Sequence, residues 1–172
     1  MTLDQFNQLD QARAADHLRQ CCVSEGWIEG MLKARPFDSL EALYTASSAT
    51  WLSLDKPDYL QAFEGHPKIG DVGSLRAKYA NTKALAAGEQ ASVNDADEAL
   101  LQDLAKANAD YEACFGYIFI VCATGKSAQE MLTLLKERLN NDPSYEIYVA
   151  AAEQLKITQI RLQKLFTSHT ED

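Results

Sequence analysis

Apolar residues recur three and four positions apart along nearly the whole chain, and most such runs are bracketed by a residue that starts or stops a helix. Asp10 caps a helix through Ala12, Ala15, Leu18 and Cys22. Ser24 and Glu25 open a second, with Trp27, Ile28, Met31 and Leu32 on one face. Arg35-Pro36 stops it, because proline disfavours helix at the residue before it. Ser39 caps a third, with Leu40, Leu43, Tyr44, Ser47 and Trp51 as its inner face, and Pro57 opens a short fourth holding Tyr59, Leu60 and Phe63. Helix resumes near Ser74 through Leu75 and Tyr79 toward Leu85. Ser92, Asn94 and Asp95 offer caps for a long helix through Leu100, Leu101, Leu104, Ala107, Asn108, Tyr111 and Phe115. Residues Tyr117 to Val121 are β-branched and aromatic, and suit an extended buried segment. Ser127-x-x-Glu130 is a capping-box pattern for a helix through Met131, Leu132, Leu135 and Leu139. Asp142-Pro143 then ends one helix and starts the last, expected from Tyr145 to about Phe166. The expectation is all-α: a single compact helical domain of about eight helices over residues 1–172.

Bulk properties narrow the function classes. A net charge of −9 disfavours nucleic acid and anionic membranes as partners, though one buried arginine can still make a local anion site. No apolar run approaches the ~20 residues of a membrane span, and the N-terminal residues lack a secretory leader's basic start and apolar middle. A cytoplasmic protein is expected, with Cys21, Cys22, Cys114 and Cys122 as reduced thiols, mostly buried. No Cys-x-x-Cys, phosphate-binding glycine loop, His-Glu-x-x-His or Gly-x-Ser-x-Gly is present, so neither a metal nor an organic cofactor is expected.

One stretch resists helix: Gly65-His66-Pro67-Lys68-Ile69-Gly70-Asp71, with two glycines and a proline around one of only three histidines. Glycine permits unusual backbone angles and proline fixes φ, which makes a stiff platform for an imidazole that titrates near neutrality. The plain alternative is a surface-turn histidine. Glu89, in Gly88-Glu89-Gln90, can orient an imidazole, or simply end a helix in solvent. Arg161 can grip a carboxylate or planar amide with two parallel donors, or lie exposed on its helix. On these residues alone the chain is a helical protein with a possible His/Glu/Arg site, and a helical module that binds a partner peptide without catalysis fits equally.

Blocks along the chain resemble the 2-oxo-4-hydroxy-4-carboxy-5-ureidoimidazoline (OHCU) decarboxylase family. They are Phe6-Asn7-x-Leu9, Cys21-Cys22-x-Ser24-x-x-Trp27, Met31-x-x-x-Arg35-Pro36-Phe37, His66-Pro67-Lys68-Ile69-Gly70, Glu89-Gln90, Phe115-Gly116-Tyr117-Ile118-Phe119-Ile120, Arg138-Leu139-x-Asn141-Asp142 and Arg161. The chain departs from the family pattern at Ala86, where serine is common, at Tyr117, where phenylalanine is common, and at Ile118, where proline is common. The resemblance implies a carboxy-lyase of urate degradation, in purine catabolism, which converts OHCU to (S)-allantoin and carbon dioxide as a homodimer without a cofactor. It implies His66 and Glu89 as catalytic, and Pro67, Gln90, Tyr117, Phe119, Ile120 and Arg161 as substrate-binding.

Overall fold

A computed structural model describes residues 1–67, 72–75, 77 and 90–167, the side chains of 90–97 and 167 excepted. These residues form an all-α fold of eight helices: α1 (Leu3–Gln8), α2 (Gln11–Cys21), α3 (Glu25–Ala34), α4 (Leu40–Leu52), α5 (Lys56–Glu64), α6 (Gln90–Phe115), α7 (Ala128–Arg138) and α8 (Pro143–Thr167). A further helical stretch covers 72–75. The expected start near Ser74 falls in it, while Tyr79 and Leu85 lie outside the described residues.

The caps are those the sequence offers. Asp10 accepts from Arg13 N–H, Ser39 from Ala42 N–H and Ser127 from Glu130 N–H. Each satisfies one of the four N–H groups that a helix start leaves without an intrahelical partner. Helix α1 was not anticipated, although Thr2 and Gln5 form a reciprocal capping box at its start. Helix α6 begins at Gln90, ahead of the cap residues Ser92, Asn94 and Asp95, which lie inside it. Such residues cost a helix interior only about half a kcal/mol each, so they offer a start without imposing one. The segment after Gly116 is non-helical as expected, and within it Ile120 and Cys122 are buried.

The chain separates into two compact units. The first comprises Met1–His66, Ile120–Cys122 and Ile147–Asp172. Its α3 packs on α2, α4 and α5. Trp27, Ile28 and Met31 from α3, Leu18, Leu43, Trp51 and Phe63 are almost wholly buried. The polar atoms of the large rings are matched: Trp27 Nε1 donates to Ser47 Oγ, and Trp51 Nε1 donates to the Ala151 carbonyl at 2.9 Å. Gln159 Nε2 bonds the Tyr44 carbonyl and Ser48 Oγ, which fixes α8 against α4. The blocks Phe6-Asn7-x-Leu9 and Arg35-Pro36-Phe37 lock into each other. Asn7 exchanges two 2.9 Å bonds with the Phe37 backbone, and Arg35 donates to the carbonyls of Phe6 and Leu9 at the end of α1.

The second unit comprises Pro67–Phe119 and Ala123–Glu146, with α6 packed on α7. Its polar centre is Glu146, fully buried in the first turn of α8. Glu146 Oε2 accepts from Arg138 Nε at 2.8 Å, from Arg138 Nη2 at 2.5 Å and from the Tyr111 hydroxyl. Oε1 accepts from Asn141 Nδ2 at 2.9 Å. The Arg138 guanidinium also lies over the Phe119 ring at 4.4 Å. Burial, first, and the bond to Glu146 push the Tyr111 hydroxyl's pKa far up, so this phenol stays protonated and donating.

Candidate active site

His66 follows the end of α5. Its N–H bonds the Phe63 carbonyl, so the imidazole projects from a backbone tied to the helix terminus. Gly65 does not hold an unusual conformation; its φ is −74°. Glycine is needed there because an added Cβ would stand 2.4 Å from Val23 Cγ2. The turn is therefore set by a close approach to the loop after α2, which corrects the sequence-based expectation about backbone freedom.

The ring is half-buried. Its Nε2 lies 2.5 Å from Gln154 Oε1 on α8. An amide oxygen can only accept, so Nε2 carries the hydrogen and Nδ1 holds the lone pair when the ring is neutral. Gln154 is buried, and its Nε2 donates to Thr158 Oγ1 at 3.0 Å one turn further along α8. Burial lowers the His66 pKa from the ordinary 6.5; the Gln154 contact pulls it partly back, and the Arg161 charge pushes it down again. The imidazole is accordingly neutral at neutral pH.

Arg161 lies one further turn along α8 and donates from Nη1 to the Cys21 carbonyl at 3.3 Å. Burial raises the Cys21 thiol to about 12, against the pull of Arg161. It raises Cys22 to about 11, against the Ser24 backbone, the Thr158 hydroxyl and Arg161. Both are protonated packing groups rather than nucleophiles. All four cysteines are free thiols, buried except Cys114. Among the described residues no three His, Cys, Asp or Glu side chains gather to hold a metal.

Of the expected site residues, His66 and Arg161 both belong to the first unit: His66 bonds Gln154 on α8, and Arg161 on the same helix acts on the ring through its charge. Ile120 belongs to the same unit and is buried. Its extended segment is pinned where Cys122 N–H donates to Glu153 Oε1 at 3.0 Å. Tyr117 and Phe119 belong to the second unit, and both rings meet Tyr111 edge-on, at 5.9 and 5.2 Å. Pro67 is exposed. Glu89 and the Gln90 side chain lie outside the described residues. Gln154 and Thr158 were not anticipated. Their signal was the spacing Gln154, Thr158, Arg161, which places three polar groups on one stripe of a helix.

Comparison with known proteins identifies the family. A family model described as OHCU decarboxylase matches residues 7–163. A uric acid degradation bifunctional protein of Arabidopsis thaliana is 37% identical over 152 residues, which is 88% of this chain and 47% of that protein. The chain thus spans less than half of that relative, and 34% of the bifunctional PucL protein of Bacillus subtilis. A 2-oxo-4-hydroxy-4-carboxy-5-ureidoimidazoline decarboxylase of Haloferax volcanii is 25% identical over 98% of both chains. A crystal structure of OHCU decarboxylase in the presence of (S)-allantoin superposes with a TM-score of 0.69 at 39% identity, covering 88% of this chain and 98% of that one. With the family model matched over most of its length, the chain belongs to the OHCU decarboxylase family.

Proposed function

We propose that this chain decarboxylates OHCU to (S)-allantoin, with His66 as the acid–base group and Arg161 as the anchor of the substrate's polar edge. The observation that carries the reading is a neutral, half-buried imidazole, oriented by Gln154 beside a guanidinium, in a member of this family. Residues 7–163 match the family model across both units, which supports treating the chain as one OHCU decarboxylase-like domain. The alternative of a peptide-binding module without catalysis gains nothing from the comparisons, whose matches are enzymes of urate breakdown.

The substrate carries its own electron sink. The bond from the hydroxyl-bearing carbon to the carboxylate breaks and carbon dioxide leaves. That electron pair forms a C=C bond to the neighbouring C=N carbon, whose π pair moves to nitrogen and takes a proton. Loss of the hydroxyl proton then restores a C=O bond, while the former C=N carbon accepts a proton and becomes the stereocentre. His66 Nδ1 takes the hydroxyl proton, and the imidazolium, disfavoured by burial and by Arg161, hands a proton on to that carbon. Such help is worth roughly 10²–10⁴-fold. In this reading Glu89 is the second catalytic residue, and Pro67, Gln90, Tyr117, Phe119 and Ile120 bind substrate with Arg161. The chain acts as a homodimer, as the family resemblance implies. It works in the cytoplasm, a reading that its free thiols support.

The test uses OHCU generated freshly from urate by urate oxidase and 5-hydroxyisourate hydrolase, with the allantoin followed by circular dichroism. The expected product is (S)-allantoin, formed faster than the spontaneous racemate. Racemate at the spontaneous rate, with folded protein present, would refute the reading.

A further inference from the structure

We propose that Gln154 is a positioning residue that selects the reactive tautomer of His66, and that Thr158 sets the orientation of Gln154. The inference rests on the reading of His66 as the base.

The geometry is directional. A glutamine amide offers an acceptor at one end and donors at the other, and which end faces a neighbour depends on what the other end meets. Gln154 Nε2 meets the hydroxyl of Thr158 at 3.0 Å, so Oε1 is left to face the imidazole. An oxygen there accepts only from Nε2–H, which puts the lone pair of the neutral ring on Nδ1. Both polar residues are buried, Gln154 at 1% and Thr158 at 2% exposure, and hence hold one arrangement. The Thr158 hydroxyl gives its own hydrogen to the Cys22 sulfur, so its oxygen is left to accept from the amide nitrogen, and a reversed amide would set its oxygen against an oxygen with no hydrogen to offer. The bond joins residues 88 apart in sequence, so it also ties the end of α5 to the middle of α8.

A glutamine differs from a carboxylate in this place. A carboxylate would stabilise the imidazolium and raise the ring's pKa, whereas the amide fixes the tautomer without adding charge. The charged and titratable groups facing this pair are Arg161 on α8 and the thiols of Cys21 and Cys22 at the end of α2. The thiols stay neutral, so among the described residues Arg161 is the charge that acts on the ring.

The test is nitrogen NMR on protein labelled at the histidine rings, with His66 assigned by loss of its signals in His66→Gln. The wild-type ring is expected to show protonated Nε2 and unprotonated Nδ1 above its pKa. Gln154→Leu is expected to give a mixture of tautomers and to lower kcat by about 10–10²-fold, the scale of a reacting group slightly misplaced. KM should change far less. Gln154→Glu is expected to keep the tautomer and raise the His66 pKa, moving the acidic limb of the pH profile upward. Thr158→Val is expected to loosen the tautomer preference with Gln154 still present. An unchanged tautomer and kcat in folded Gln154→Leu would overturn the inference, as would a wild-type ring protonated at Nδ1. The NMR result does not depend on the substrate. Full turnover of OHCU by Gln154→Leu alongside an inactive His66→Ala would sink this inference and leave the proposed function standing.

Discussion

Two polar groups, one in each unit, have opposite characters: Glu146 is fully buried and His66 half-buried. Around Glu146 every carboxylate oxygen is engaged: Arg138 and Tyr111 take Oε2, and Asn141 takes Oε1. Opposite charges meet in a buried place and cancel. Around His66, among the described residues, Gln154 at the ring and Thr158 behind it are neutral, and the charge of Arg161 opposes protonation. The first arrangement holds a fold: it ties the end of α7 to the start of α8. The second holds a titratable ring part-way out of water with its proton affinity lowered. A saturated network resists change, whereas chemistry needs a group left able to gain and lose a proton.

The contrast can be broken most severely at Glu146. Arg138→Ala or Glu146→Gln leaves a buried group without its partner, and the expected loss is about 3–5 kcal/mol. Urea unfolding measures it, and a loss under about 1 kcal/mol would show that the network is not what holds α7 and α8 together. His66→Ala should do the reverse. It is expected to keep stability, because little core rests on a half-buried ring after a helix end, and to reduce OHCU turnover by at least about 10²-fold. Near-normal turnover in the folded variant would remove His66 from the mechanism.

Arg161 sharpens the comparison by separating charge from shape. Loss of one charge-assisted pair is worth about 1.5–3 kcal/mol. If a planar substrate edge requires two parallel donors, Arg161→Lys should be impaired nearly as badly as Arg161→Ala. Full rescue by lysine would mean that charge alone matters. Gly65→Ala tests the turn itself. A methyl 2.4 Å from Val23 Cγ2 is expected to cost about 1–3 kcal/mol, and a paired Val23→Ala should recover part of that. Equal stability of Gly65→Ala and wild type would show that the close approach does not constrain the turn.

Local signals were legible in the sequence. Asp10, Ser39, Ser127 and Pro57 mark helix starts because capping is a matter of a few neighbouring residues. His66 and Arg161 stood out as residue types whose chemistry is recognisable without a structure. What stayed hidden depends on distant pairing. Nothing near Gly65 in the chain announces Val23, and nothing near Gln154 announces a histidine 88 residues earlier. Arg138 and Asn141 were noticed only as part of a family block, and their role became plain once Glu146 was seen buried between them. Helix α1 was missed for another reason: six residues are too few to display a periodicity, and only the Thr2/Gln5 box betrays it.

The smallest expected effect is on stability. A histidine with a lowered pKa in the folded chain binds a proton more readily when unfolded, so its contribution is complete above the ordinary value of 6.5. It is lost as pH falls from there through the lower folded value. His66→Gln should flatten that part of the stability curve.

The central claim, that His66 works as a neutral base because burial and Arg161 lower its proton affinity, is tested most directly by titrating its ring by NMR and comparing that curve with the pH dependence of kcat/KM. The expected result is one shared midpoint below 6.5, with activity rising as the ring loses its proton. A ring that titrates at or above 6.5, or activity that falls as the ring becomes neutral, would contradict it.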